Sequence, residues 1–273
     1  MSFIDNQFII CKNMIEQSIL TGGANGKESM IRSSALINLI HDAVKYELQQ
    51  KGVAPENIYP HFRETKPEIK LAGLLKQKDQ DVCVIPSNVR KTPLTINWGP
   101  MAFQNKRDPY GEEYSTNTLV INVRSQMSSL AKNADTLFER TFAEALNLHM
   151  RYPEVVLGEV YLIPTHEYDD AEVACNRVAF KRHQTDIEKY ISFFNSINNR
   201  AVGGEPYMYE RCALLVVDFN TTQPRLFRSS DELKAAGLIS PNFQIEYSTL
   251  GFDNFAEDIL RVYGQRYDIN NLK

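Results

Sequence analysis

Two hydrophobic rhythms run along this chain, one at helical spacing and one nearly continuous over short stretches. Phe8, Ile9, Cys11, Ile15 and Ile19 recur every three to four residues and predict a helix over 5–20, stopped at Thr21-Gly22-Gly23. Leu36, Leu39, Ile40, Ala43, Val44 and Leu48 form a second stripe, predicting a long helix over 28–50 with Gly52 just past its end. Residues 69–75 and 81–85 read as strands flanking a polar turn at Lys76-Gln77-Lys78-Asp79, and Pro86 closes the second. A loop rich in Pro, Gly and Asn is predicted over 86–117.

The β-branched and aliphatic run 118–123 predicts a third strand. Leu137, Phe138, Thr141, Phe142, Ala145 and Leu148 then mark a helix from Asn133 or Asp135 to about residue 151, stopped by Pro153. VVLGEVYLI at 155–163 reads as an unbroken apolar strand of the kind buried on both faces. A helix marked by Ile187, Tyr190, Ile191, Phe194 and Ile197 follows, then a further buried strand over 212–219. A capped helix opened by Ser229-Ser230-Asp231-Glu232 and closed by Gly237 precedes an amphipathic helix over 255–263. This order predicts an α/β fold, a mixed central β-sheet flanked by helices.

Composition narrows the class. At 43% hydrophobic and 23% charged over 273 residues, the chain is globular rather than disordered or coiled-coil. No apolar run reaches the ~18 residues of a membrane span, so no membrane association is expected. Asp5, Lys12 and Glu16 interrupt the place where a secretion signal needs an apolar core, so a cytoplasmic location is expected. Cys11, Cys83, Cys175 and Cys212 lie far apart, which fits reduced thiols. The five histidines show no metal-ligand spacing. Thr21-Gly22-Gly23-Ala24-Asn25-Gly26-Lys27-Glu28 departs from the phosphate-loop pattern at both ends. The net charge of −4 speaks against a nucleic-acid partner only until it is divided. Residues 61–132 carry 11 Lys/Arg against 7 Asp/Glu, whereas the rest carries 19 against 27.

Three segments hold candidate chemistry. Asp81 follows a polar turn at the mouth of a buried strand, where a carboxylate can hold Mg²⁺ against a phosphate. Asn122, Arg124, Ser125 and Gln126 cluster where the third strand emerges, and Arg, Asn and Gln are side chains that read base edges. Glu144 and Glu139 border the apolar stripe of the following helix, where a carboxylate needs a cation such as Arg140 or Lys132, or a metal.

In this order the pieces resemble the catalytic core of a type II restriction endonuclease of the PD-(D/E)xK nuclease superfamily. The resemblance spans about residues 26–165. It is closest at VRSQMSSLAKNADTLFERTFAEALNLHMRYPEVVLGEVYLIP, which is similar to enzymes cutting CCGG-type sites. There a strand end reading R-S-D-R precedes a helix reading E-A-L-N-L, and the second catalytic carboxylate has moved onto that helix. The match makes Glu144 its equivalent, with Asp81 as the other metal-binding acid.

Asn122-Val123-Arg124 stands where the common signature has an acid and a lysine, and the subgroup's own lysine position is Val120. Arg124 or Lys132 fills that role, or Lys70 or Lys76 reaches in, or the site has lost it. Glu28 and Glu47 both lie on the long-helix stripe, so either is the acid of the first helix. The resemblance implies Mg²⁺-dependent cleavage of double-stranded DNA by a homodimer at a short palindrome, alongside a cognate DNA methyltransferase. The groove would be read by Asn122, Arg124, Ser125 and Gln126 together with Asn88, Arg90, Lys91, Asn97 and Asn105 of the long loop. A single endonuclease domain over 1–273 is expected, with an α/β extension from about 170 that carries the dimer surface. The alternative is a nuclease-fold DNA-binding or assembly protein without cleavage.

Overall fold

Twelve strands and eight helices follow one another along residues 1–273, all of which this computed structural model describes. The helices are α1 (Phe3–Arg32), α2 (Ser34–Gln50), α3 (Glu112–Asn117), α4 (Leu130–His149), α5 (Asp170–Ala174), α6 (Ile187–Ser196), α7 (Ser230–Ala235) and α8 (Phe255–Arg266). The first six strands are β1 (Ile58–Tyr59), β2 (Ile69–Ala72), β3 (Gln77–Gln80), β4 (Val82–Val84), β5 (Leu94–Thr95) and β6 (Arg107–Asp108). The others are β7 (Leu119–Ser125), β8 (Val156–Pro164), β9 (His166–Tyr168), β10 (Phe180–Gln184), β11 (Arg211–Asp218) and β12 (Arg225–Leu226).

The order β1-β4-β7-β8-β11-β12 makes a six-stranded mixed sheet, which bears out the α/β class. β4 is antiparallel to β7, whereas β7, β8 and β11 run parallel. Parallel neighbours need a long crossover, and α4 supplies the one between β7 and β8. All nine residues of β8 are buried, as its apolar composition requires.

Alternation divides the sheet into two cores. Leu119, Ile121 and Val123 of β7 and Val156, Val160 and Leu162 of β8 face α1, α2 and α8. Val120 of β7 and Leu157, Tyr161 and Ile163 of β8 face α4 and α6, packing with Ala145, Leu148, Tyr190 and Phe194. Fully burying such a side chain stabilises the fold by roughly 1.5–3 kcal/mol. The region from 170 onward is not an appendage, because β11 pairs with β8 in unbroken register from Arg211↔Gly158 to Val217↔Pro164. No helix is long and apolar enough to cross a membrane.

Four local expectations need correction. The stop at 21–23 is a kink at Gly23 (φ 54°, ψ −135°), after which helix-forming residues carry α1 on to Arg32. The helix expected over 28–50 breaks instead at Ser33, whose backbone is extended and whose Oγ accepts from the Ala35 N–H to cap α2. The loop 86–117 contains the β5–β6 hairpin and α3, which its turn-rich composition obscured.

The fourth concerns the polar segment 76–79, which is mostly strand rather than turn. Lys70 pairs with Asp79 and Ala72 with Gln77, so the reversal falls at 73–76. The β2–β3 hairpin forms its own two-stranded sheet, and its polarity reflects that position. Asp81 is the single residue between β3 and β4.

Candidate functional site

One row across the sheet brings the acidic candidates together. Val82 pairs with Ile121, so one residue further along Asp81 comes beside Asn122. Asn122 pairs with Glu159 on β8, which in turn pairs with Cys212 on β11. Side chains of one row share a face. For Asp81, Asn122 and Glu159 that is the α4 face, from which Glu144 approaches.

Two cations sit among these acids. Arg124, two residues along β7 from Asn122, ion-pairs with Glu144 and places Nε 3.1 Å from Glu159 Oε1. Lys78 of β3 reaches the same Glu144 oxygen with its Nζ at 2.5 Å. Arg124 Nη1 also lies 3.5 Å from Thr141 Oγ1 on α4. Asp81 Oδ2 accepts a hydrogen bond from the Val123 N–H at 2.9 Å.

Burial and partner supply set the proton affinities in opposite directions. Burial pushes Glu159 up to about 7, with Glu144 and Asp81 adding to it against Arg124 and Lys78. Burial also raises Asp81, although Lys78, the Val123 N–H and Arg124 oppose it. Burial would raise Glu144 as well, but Arg124 and Lys78 outweigh it and hold that carboxyl below its ordinary range. Arg124, despite its own burial, is held charged by Glu159, Tyr209, Glu144 and Asp81.

The cluster is under-satisfied. Neither oxygen of the fully buried Glu159 accepts a hydrogen bond, because the Arg124 contact is near but misaligned. Asn122 Oδ1 is equally without a donor. With all three carboxylates ionised, the two cations leave one negative charge uncompensated, which is costly in a buried site. No group of three or more His, Cys, Asp or Glu converges in a metal-ligating arrangement. The donor types nonetheless suit a hard divalent cation, since carboxylate and amide oxygens lie in one row and several lack partners.

α4 also positions the hairpin. Asn147, one turn beyond Glu144, accepts from the Leu75 N–H (2.8 Å) and the Lys76 N–H (3.2 Å) through Oδ1. Its Nδ2 donates to Lys76 O at 3.2 Å, and its own carbonyl accepts from the Leu74 N–H at 2.6 Å. The turn approaches so closely that a Cβ on Gly73 would stand 2.2 Å from Asn147 Nδ2 and 2.4 Å from Asn147 O. The Glu-Ala-Leu-Asn segment is therefore a two-point clamp, with Glu144 holding Lys78 and Asn147 holding the turn before it.

Several expected residues lie elsewhere. Glu139 and Lys132 are exposed on α4 and outside the cluster, because helical phase turns them outward. Glu47 sits half-buried on α2, which packs on the other face, and burial and Asp253 raise its carboxyl. Glu28 is exposed and pairs with Arg32. Lys76 is exposed, and Lys70 pairs with Asp79.

Among the expected base readers, Asn122 is buried in the row and Arg124 is engaged by carboxylates. Gln126 is buried and fully committed, its Oε1 accepting from the hydroxyls of Tyr190 (2.8 Å) and Tyr161 (3.2 Å). Its Nε2 donates to Ser129 O and Leu130 O, so it ties β7 to α4 and α6 and has nothing left for a base edge. Ser125 is half-buried, whereas Asn88, Arg90, Lys91, Asn97 and Asn105 are exposed on the 86–117 segment.

Sequence reasoning missed Lys78, Glu159 and Asn147. A lone glutamate inside an otherwise apolar strand was the available signal for Glu159, and Asn147 stood in the Glu-Ala-Leu-Asn-Leu match without a role, while nothing local marked Lys78. No protein-family model matches this chain, and neither does a curated protein or a solved structure.

Proposed function

We propose that the chain is a Mg²⁺-dependent endonuclease cutting double-stranded DNA, a type II restriction enzyme with a PD-(D/E)xK-like core. The observation that carries this reading is the pairing of Glu144 with Lys78 and of both Glu144 and Glu159 with Arg124, on the face of the sheet that also carries Asp81. It is supported by the placement of Asp81 at the head of β4, next to β7, and of Glu144 on the α4 crossover that leads to β8. The positive balance of residues 61–132 supports a polyanionic substrate.

In this reading Asp81, Glu144 and Glu159 are the residues that would hold the divalent cation, with the Asn122 amide oxygen as a further donor. When bound, such an ion supplies Lewis-acid stabilisation of charge on the phosphate and lowers the pKa of water. Lys78 takes the lysine's role that the sequence left open, donating hydrogen bonds from Nζ to the phosphate oxygens. Arg124 provides a permanent charge that offsets negative charge building up during hydrolysis. Two copies acting on a palindrome would cut both strands, with a cognate methyltransferase protecting cytoplasmic host DNA.

Incubating the protein with phage and supercoiled plasmid DNA, with Mg²⁺ or with EDTA, tests the reading. Discrete Mg²⁺-dependent fragments, lost in Asp81→Asn and Glu144→Gln variants, are expected. Full cleavage by either variant would overturn the site. A second reading, DNA binding without cleavage, is favoured by one observation: Arg124 bridges Glu144 and Glu159 where the superfamily signature has a lysine. Retarded mobility of DNA on gels with no cutting under any divalent cation would support it.

A further inference from the structure

The polar line on α4 continues past the carboxylate cluster. Thr141, Glu144, Asn147 and, just past the helix end, Arg151 follow at steps of three, three and four residues, which keeps them on one side. The Arg151 guanidinium lies over the Trp98 ring, 5.2 Å from its centroid, and 5.7 Å from that of Tyr152. Asn97, Trp98, Asp108, Glu112, Arg151 and Tyr152 line a cavity of about 370 Å³.

The polar groups of this cavity divide into spent and unspent. Asp108 is fully used, accepting from the Tyr152 hydroxyl (2.9 Å) and the N–H groups of Tyr110 (3.0 Å) and Gly111 (3.2 Å). Arg151 Nε donates to the Tyr152 hydroxyl at 3.2 Å, but its buried Nη1 has no acceptor. Glu112 is exposed and forms no ion pair. Trp98, the only tryptophan in the chain, is 44% exposed although it is a large apolar ring. Arg107, which pairs with Thr95 across the hairpin, is exposed, as is Lys106.

We propose that this cavity takes one unpaired guanine base of a polynucleotide, an inference that rests on the nucleic-acid reading above. An exposed indole offers a stacking surface to any base. The Arg151 guanidinium, of which only Nε is hydrogen-bonded, keeps donors for O6 and N7 of guanine, and the Glu112 carboxylate matches the N–H donors of its opposite edge. Only a base out of the helix presents both edges and both faces together. Arg107 and Lys106 supply cations for the strand's phosphates. Seven residues of helical rise separate Glu144 from Arg151 by about 10 Å. That is roughly three base steps along a B-form strand, so one nucleic acid can occupy both places.

The emission of Trp98 reads the pocket directly, because no other tryptophan contributes. The whole protein is titrated in EDTA with a thymine-only single strand, with the same strand carrying one central guanine, and with GMP. Saturable quenching by the guanine strand is expected, about tenfold or more tighter than by the thymine strand. Arg151→Ala should abolish that preference and Glu112→Gln should reduce it. Should the alanine variant fail to fold, Arg151→Lys keeps the charge without the planar fork and carries the same expectation.

Equal affinity for the two strands, or a preference unchanged in these variants, would overturn the proposal. So would GMP binding as tightly as the strand, which would make this a free-nucleotide site. Binding is read without metal, so the two readings fail separately. Guanine-dependent quenching without cleavage overturns only the nuclease, and cleavage without guanine-dependent quenching overturns only the pocket.

Discussion

Replacing Asn147 by alanine removes the hold of α4 on the β2–β3 hairpin. The side chain is 3% exposed and makes three hydrogen bonds to the 73–76 turn, at 2.8, 3.2 and 3.2 Å. Each such bond contributes about 0.5–1.5 kcal/mol net. The freed N–H groups belong to the exposed residues Leu75 and Lys76 and can regain water, which trims the upper end. The expected loss is therefore about 1.5–3 kcal/mol, measured by urea unfolding. A loss below about 0.5 kcal/mol would refute the assigned bonds.

The positional consequence is separable from that loss. Lys78, two residues beyond the turn, pairs with Glu144 and shares no hydrogen bond with Asn147. If the clamp sets the Lys78 pair, a double-mutant cycle between Asn147→Ala and Lys78→Met should give a coupling of about 0.5 kcal/mol or more. Additivity within about 0.3 kcal/mol would show that the hairpin finds its place without Asn147. Under the nuclease reading the alanine variant should still bind DNA but cut it more slowly. A misplacement of ~1 Å can cost about 10²-fold in rate.

Three further outcomes follow from the geometry. Gly73→Ala should destabilise the fold by about 2 kcal/mol or more, since the new methyl group would meet the Asn147 backbone carbonyl, and unaltered urea unfolding would contradict the close approach. Glu159 has a raised carboxyl, so its contribution is full below the ordinary value of 4.5 and is lost as pH rises toward about 7, on the order of 3 kcal/mol in all. Glu159→Gln should therefore gain stability relative to the natural protein between pH 5 and pH 8, and parallel stability–pH curves would contradict this. Glu210 shows the opposite sign: burial alone would raise it, but His149, Arg266 and the Leu157 N–H hold it low. Its contribution is present above the ordinary 4.5 and lost as pH falls through the lower folded value. Glu210→Gln should cost about 3–5 kcal/mol at neutral pH, because Arg200 and Arg266 stay buried against it, and should flatten the acid limb of a denaturation series.

The hydrophobic pattern alone determined the fold class, and it did so for a local reason. A strand buried on both faces must be apolar throughout, so 118–123, 155–163 and 212–219 were visible without knowing their neighbours. The stripe ending in Leu148 likewise showed α4, and Asp81 and Glu144 were legible as acids at the edge of apolar elements. Strand polarity and order were not written locally. Nor was the character of 76–79, whose lysines and glutamine look like a turn until the separate hairpin explains them.

Only the tertiary structure decided which charges meet. The register Asn122↔Glu159 comes from pairing between segments 37 residues apart, and it turned a polar residue in an apolar run into a member of the acidic row. The packing of α4 over the sheet brought Lys78 to Glu144 across 66 residues of chain, while leaving Glu139 in solvent. Periodicity fixes which way a side chain faces within its own element. What it faces is set by the neighbouring element, and the chemistry of a cluster belongs to that second decision.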